Sequence, residues 1–153
     1  MRPLIDLAYR LRRRTMALVG WRTQGVKVMA FDGEGRLLLV RHRYGRSDLW
    51  MLPGGGIAHG ESPVAAASRE LMEEVRCRLD APELVGCWEA RTEGRRDTVR
   101  LFRGITTDTP QINGIEIAEA CFFPPDDLPE SASPATRRRV DEMLGRRTPD
   151  KRW

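Results

Sequence analysis

The apolar positions of this chain change their period repeatedly, and those changes divide it into elements. Val26-Lys27-Val28-Met29-Ala30-Phe31 and Arg36-Leu37-Leu38-Leu39-Val40 read as strands, and the Asp32-Gly33-Glu34-Gly35 between them has tight-turn chemistry, so a hairpin is predicted. From Ser62 to Cys77 the spacing becomes helical. Val64, Ala67, Leu71 and Val75 share an arc that should press into a core. Glu70, Glu73 and Glu74, at i, i+3 and i+4, share another arc of roughly 100°, expected to stay open. Ser62 suits the N-cap, and Pro63 suits the first helical position, where its missing N–H would be unpaired anyway. Strand character returns from Glu83 to Ala90 and from Asp97 to Ile105, on either side of a polar turn at Thr92-Glu93-Gly94. It returns once more from Ile115 to Phe123, ahead of Pro124-Pro125. Ser133 should cap a last helix from Pro134 to about Leu144, with Val140, Met143 and Leu144 inward and Arg137 to Arg139 mostly outward. Strands interrupted by two well-separated helices predict an α/β sandwich, a mixed sheet with helices on both sides.

Composition narrows the setting. The 153 residues, 41% of them apolar, suit one domain with a proper core. No apolar run is long enough to span a bilayer, and Arg10, Arg12, Arg13 and Arg14 break up the segment where a signal peptide would need an apolar centre, so a cytoplasmic protein away from membranes is expected. Cys77, Cys87 and Cys121 are odd in number and widely spaced, a pattern of neither a disulfide framework nor a zinc site. The net charge of +4 is unevenly spread: residues 1–22 carry +5 and residues 137–153 carry +4, which leaves −5 on the middle of the chain. Within the first segment, Leu4, Ile5, Leu7, Ala8 and Leu11 mark a short amphipathic helix, read as a packing or dimer-contact appendage. Basic ends are suited to RNA or anionic lipid, but a solvated face is the plainer reading. RNA is therefore an allowed partner that composition alone does not favour.

An acidic middle fits a site that awaits a cation. Gly55, Glu61 after five intervening residues, and Arg69-Glu70-Leu71-Met72-Glu73-Glu74 after seven more follow a spacing that resembles the Nudix box, G-x5-E-x7-R-E-U-x-E-E-x-G-U, where U is a bulky apolar residue. The match runs from Gly55 to Cys77, with Arg76 where the pattern has Gly and Cys77 at the last apolar position. The pattern's Gly would permit a left-handed helix exit, which costs a side chain on the order of 1 kcal/mol. The resemblance implies a Nudix-type α/β/α sandwich with a mixed sheet over residues 23–147, preceded by a basic helical appendage (1–22) and followed by a basic tail (148–153).

It also implies a chemistry. Glu70, Glu73 and Glu74 crowd like charges, which a shared hard cation relieves, and Mg²⁺ (or Mn²⁺) takes oxygen ligands while bridging to substrate phosphates. By resemblance Glu73 and Glu74 are metal ligands, Glu70 is a further ligand or the base that deprotonates water, and a carbonyl of Gly54 or Gly55 is another donor. Glu116 or Glu119 completes the set, with Glu93 a weaker candidate. Arg69 and Glu61 fit as a planar ion pair that orients the carboxylates. Arg41, Arg43 and Arg46 are candidate phosphate contacts and Tyr44 a candidate stacking residue, whereas Trp50 and Trp88 sit in strand-like surroundings that suit a core. Neither His42 nor His59 has metal-like spacing or a nucleophile beside it. The implied reaction is hydrolysis of a phosphoanhydride in a nucleoside diphosphate linked to another moiety. A small nucleotide-type molecule is the expected substrate, and a homodimer is the default if the protein is not monomeric. The alternative is a Nudix-like module without turnover that binds a nucleotide, RNA or a protein.

Overall fold

The protein is described here by a computed structural model covering residues 24–92 and 95–153. The expected N-terminal helix, and Glu93 and Gly94 of the expected turn, lie outside the described residues. Strand β1 (Gln24–Phe31) leads through the Asp32–Gly35 turn into β2 (Leu37–His42). The Asp32 carboxylate shapes that turn by accepting hydrogen bonds from the N–H groups of Glu34 (3.0 Å) and Arg36 (2.9 Å), while Gly35 takes φ +75°. The hairpin then opens, because β1 and β2 pair only at Phe31 and Leu37. Residues 50–56 fill the fork. Met51 and Val40 exchange backbone hydrogen bonds, Val28 donates to Pro53, and β3 (Gly54–Gly56) pairs antiparallel with Gly25–Lys27.

Helix α1 (Pro63–Val75) begins as the sequence predicts, with the Ser62 side chain accepting the Ala65 N–H. It ends at Arg76, which adopts the left-handed conformation (φ 59°, ψ 28°) and donates its N–H to the Met72 carbonyl. A long hairpin follows, β4 (Asp80–Thr92) and β5 (Arg95–Ile105), both strands extending past their expected starts. Then come β6 (Ile117–Phe123) and helix α2 (Pro134–Met143), capped by Ser133. The sheet order is β4-β5-β1-β2-β6, with β3 against β1, and β1 runs parallel to β5 but antiparallel to β2. The sheet is therefore mixed.

Alternating side chains divide the core between the sheet's two faces. Val26, Val28, Leu38, Val40, Phe102 and Ile117 pack against Ala66, Ala67, Leu71 and Val75 of α1, whereas Met29, Leu39, Leu52, Trp88 and Leu101 form a second cluster with Val140 of α2. Among the described residues no helix is long and apolar enough to cross a membrane.

Five expectations change. Val64 is 39% exposed rather than core, and the acidic face of α1 is not open, since Glu70 and Glu74 are 2% and 5% exposed. The buried stripe runs along Ala66, Glu70 and Glu74 beside Ala67, Leu71 and Val75, so rows of i, i+4 neighbours carry the glutamates under the sheet with the apolar residues. In α2, Leu144 is exposed and Arg139 is buried, its guanidinium over the rings of Trp88 and Trp153. The basic stretch at the end of the chain is docked as well. Glu89 donates its N–H to Lys151 and accepts one from Trp153, which joins the second core cluster.

Candidate active site

Gly54 is where sheet and helix meet chemically. Its φ of +148° and the Val26 carbonyl, 2.1 Å from where a Cβ would stand, admit no side chain. Its N–H donates to Glu74 Oε2 at 3.1 Å, which ties the last turns of α1 to the fork of the sheet. The other end of the glycine stretch is tied by Arg69. Its guanidinium donates to Glu61 Oε1 (Nε, 2.7 Å) and Oε2 (Nη2, 2.9 Å), to the Gly56 carbonyl (3.0 Å), to Glu70 Oε1 (2.9 Å) and, at 3.4 Å, to Glu73 Oε2. Glu61 also accepts the Ala58 N–H (2.9 Å). The bonds it donates to Glu61 make Arg69 hold its proton more tightly than usual, so this residue stays a cation throughout. The fork is largely buried, which sets it apart from a solvated surface pair.

The electrostatics centre on Glu74. Burial pushes its pKa up to about 8, with Glu70 and Glu116 adding to the rise and Lys27 and the Gly54 N–H opposing it. Lys27 is a residue that the sequence pattern concealed. It pairs with Gly54 across β1 and β3, donates from Nζ to the Leu52 carbonyl at 3.1 Å, and feels the charges of Glu74 and Glu70. Burial lowers its pKa, and the two glutamates resist that fall. A lysine inside a strand of apolar residues gives no periodic signal of its own; the nearest clue was its unpaired charge in an otherwise buried run. His42 belongs to the same neighbourhood. Burial and the nearby Lys27 lower its pKa and Glu116 raises it, so the imidazole is neutral near pH 7.

The two acidic candidates on the β6 side separate. Glu116 is electrostatically coupled to Glu74 and His42, and its carbonyl accepts the Arg43 N–H (2.8 Å). Glu119 pairs across the strands with Arg41, whose guanidinium also lies over Trp50. Arg43 and Tyr44 are exposed in the loop after β2, Arg46 pairs with Asp48, and Trp50 and Trp88 belong to the second core cluster. His59 is exposed. Glu93 lies outside the described residues.

Among the described residues no three acidic, imidazole or thiol side chains form a ready-made ion cage. The donors nevertheless fit a hard divalent cation, because they are carboxylate oxygens on one helix, two of them buried, and burial first, then the charges of Glu70 and Glu116, raises the proton affinity of Glu74. A surface concavity lies elsewhere. It has a volume of about 380 Å³, lined by Asp32, Arg36, Asp108 and Phe122 at the β1–β2 turn, and contains none of these carboxylates.

Known proteins resemble this chain over most of its length. A "Putative 8-oxo-dGTP diphosphatase" of Bacillus subtilis is 29% identical over 121 residues, 79% of each chain. An RNA pyrophosphohydrolase of Mesorhizobium japonicum is 44% identical over 150 residues, covering 78% of this chain and 86% of its own. A MutT NUDIX hydrolase from Burkholderia pseudomallei superposes with a TM-score of 0.71 at 23% identity, over 80% of this chain and 98% of that one, and so shares its fold. The NUDIX domain family pattern matches residues 21–143, a span that includes the glycine turn and helix α1, and the chain belongs to the Nudix hydrolase family.

Proposed function

We propose that this protein hydrolyses a phosphoanhydride bond in a nucleoside diphosphate linked to a further group, with Mg²⁺ or Mn²⁺ held by Glu70, Glu73 and Glu74. The observation that carries the reading is the buried pair Glu70 and Glu74, fastened to the glycine turn through Gly54 N–H and Arg69. Burying two carboxylates on one helix face is costly, and the pKa of Glu74 stays raised in spite of Lys27 and the Gly54 N–H. When bound, the cation would offset negative charge developing on the phosphoryl oxygens.

The chain's own residues supply the positioning. Arg69 and Glu61 hold α1 and the turn as one unit, so that carboxylates and glycine carbonyls face the substrate in a fixed relation. Glu116, coupled to Glu74, is the better choice over Glu119 for the remaining acidic ligand. Arg43 and Tyr44, both exposed in the loop after β2, are the groups we assign to the nucleotide. The diphosphatase and pyrophosphohydrolase names of the relatives support a nucleotide-type substrate.

The test is a panel of nucleoside triphosphates, ADP-ribose, nucleotide sugars and 5′-triphosphorylated RNA, incubated with the folded protein and Mg²⁺ or Mn²⁺ and read by product mass. Cleavage between phosphorus atoms is expected for at least one class. Folded protein that yields no product from any of them would refute the reading.

A further inference from the structure

Helix α1 covers only part of its face of the sheet, and what it leaves open is basic. From Gly86 to Thr92 the β4–β5 register is regular, so alternation can be read directly. Trp88 and Leu101 point to the second core cluster, whereas Phe102 packs in the first with α1. Arg91, Arg96 and Arg100 therefore share the α1 side. The docked end of the chain adds Arg152, whose backbone bridges to Glu89, so four arginines and one exposed carboxylate share that face.

Two features distinguish this row from an ordinary solvated surface. Arg91 and Arg96 are exposed and stand directly opposite each other across the strands, and like charges in that position destabilise a sheet unless an anion is shared. The row also leads to the site. Arg100 donates to the Gln24 side chain at 2.8 Å, and the Gln24 carbonyl accepts the Ile57 N–H at 2.9 Å, immediately after the glycine turn. Arg96 lies about 13 Å further along β5 at the usual strand rise. A row of that length suits a repeating phosphate chain better than one compact headgroup.

We propose that the α1-side face of the β4–β5 ribbon, through Arg91, Arg96 and Arg152, holds the backbone phosphates of a single-stranded RNA whose 5′ end lies at the glycine turn. This rests on the hydrolase reading above and names its substrate class. The contacts are to phosphate, so they give affinity and direction without base sequence preference.

The double variant Arg91→Gln/Arg96→Gln tests it beside Arg103→Gln, which alters the opposite face of β5, where Arg103 pairs with Glu83. With a short 5′-triphosphorylated RNA at low salt, the double variant should raise KM about tenfold and make the logarithmic salt slope of binding shallower by about 1.4, roughly 0.7 per lost phosphate contact. Hydrolysis of a nucleoside triphosphate should change less than about twofold, and Arg103→Gln should affect neither substrate. Unchanged RNA affinity and salt slope in the double variant, or an equal loss in Arg103→Gln, would overturn the proposal. RNA binding, followed by fluorescence anisotropy, judges the ribbon separately from turnover. Wild type that hydrolyses nothing would sink the hydrolase reading, while a variant-specific loss of RNA binding would still support the ribbon.

Discussion

Each of the two helices buries charge against the sheet, and they do so in opposite ways. On α2, Arg139 is 2% exposed, but Glu142 (2.8 Å) and Asp150 (3.4 Å) accept from its Nη2 and its guanidinium lies over Trp88 and Trp153. Its Nε and Nη1 lack hydrogen bonds, and burial lowers its pKa against the pull of the two acids. That is a closed structural arrangement of one cation, two anions and two indole faces. On α1, Arg69 donates to Glu70, the Gly54 N–H donates to Glu74, Lys27 lies in the field of both, and Glu74 still has a raised pKa. Charge compensated within the fold serves the fold, whereas charge left under-compensated beside a glycine turn is available to a ligand.

The largest effect that would break this comparison is catalytic. Glu73→Gln or Glu74→Gln should lower kcat on the order of 10²–10³-fold, the scale of losing one well-placed charge-stabilising group, without lowering the melting temperature in EDTA. Glu74 also predicts a pH signature. Its folded pKa, about 8, lies above the ordinary carboxylate value of 4.5, so between these the native state binds more protons than the unfolded one. Metal-free wild type should therefore lose stability as pH rises through that window, and Glu74→Gln should flatten the loss. Melting curves at stepped pH check this, and parallel profiles for the two proteins would contradict the assignment.

Next in size is the α2 counterpart. Arg139→Ala should cost about 3 kcal/mol, by opening space between two indoles and leaving Glu142 without its partner, while the specific activity of folded protein stays at the wild-type level. Arg139→Met keeps the volume and removes the unbonded nitrogens, so it should cost less. Urea unfolding followed by tryptophan fluorescence measures both. A selective loss of turnover would mean that the two helices are not functionally distinct.

A smaller effect belongs to Lys27. Mg²⁺ or Mn²⁺ should raise the melting temperature of wild type, by less in Glu74→Gln and by more in Lys27→Met, where the added ion has no competing ammonium. Lys27→Arg, which keeps the charge, should stay near wild type, and an equal shift in all four proteins would remove Lys27 from the site. The smallest effect is at the helix exit. Arg76→Gly relieves a left-handed side-chain residue and should stabilise by at most about 1 kcal/mol, read as a higher urea midpoint with unchanged kcat.

What the sequence determined by itself was local. Ser62 and Ser133 marked both helix starts, Asp32–Gly35 marked the turn, and Arg76 at a position suited to glycine correctly announced a left-handed exit. The carboxylate spacing and the Arg69–Glu61 pair were legible because helix geometry and fork chemistry act over a few residues or through fixed family spacing. Tertiary structure decided the rest. That β1 lies parallel to β5, that β1 and β2 part to admit residues 50–56, and that Lys27 thereby meets Gly54 and the field of Glu74 depend on pairings between distant segments, which no periodicity encodes. The same holds for Glu70, Glu74 and Arg139, whose polarity predicted exposure. A charged side chain is buried only where remote partners and packing repay its desolvation, and those partners come together only when the chain has folded.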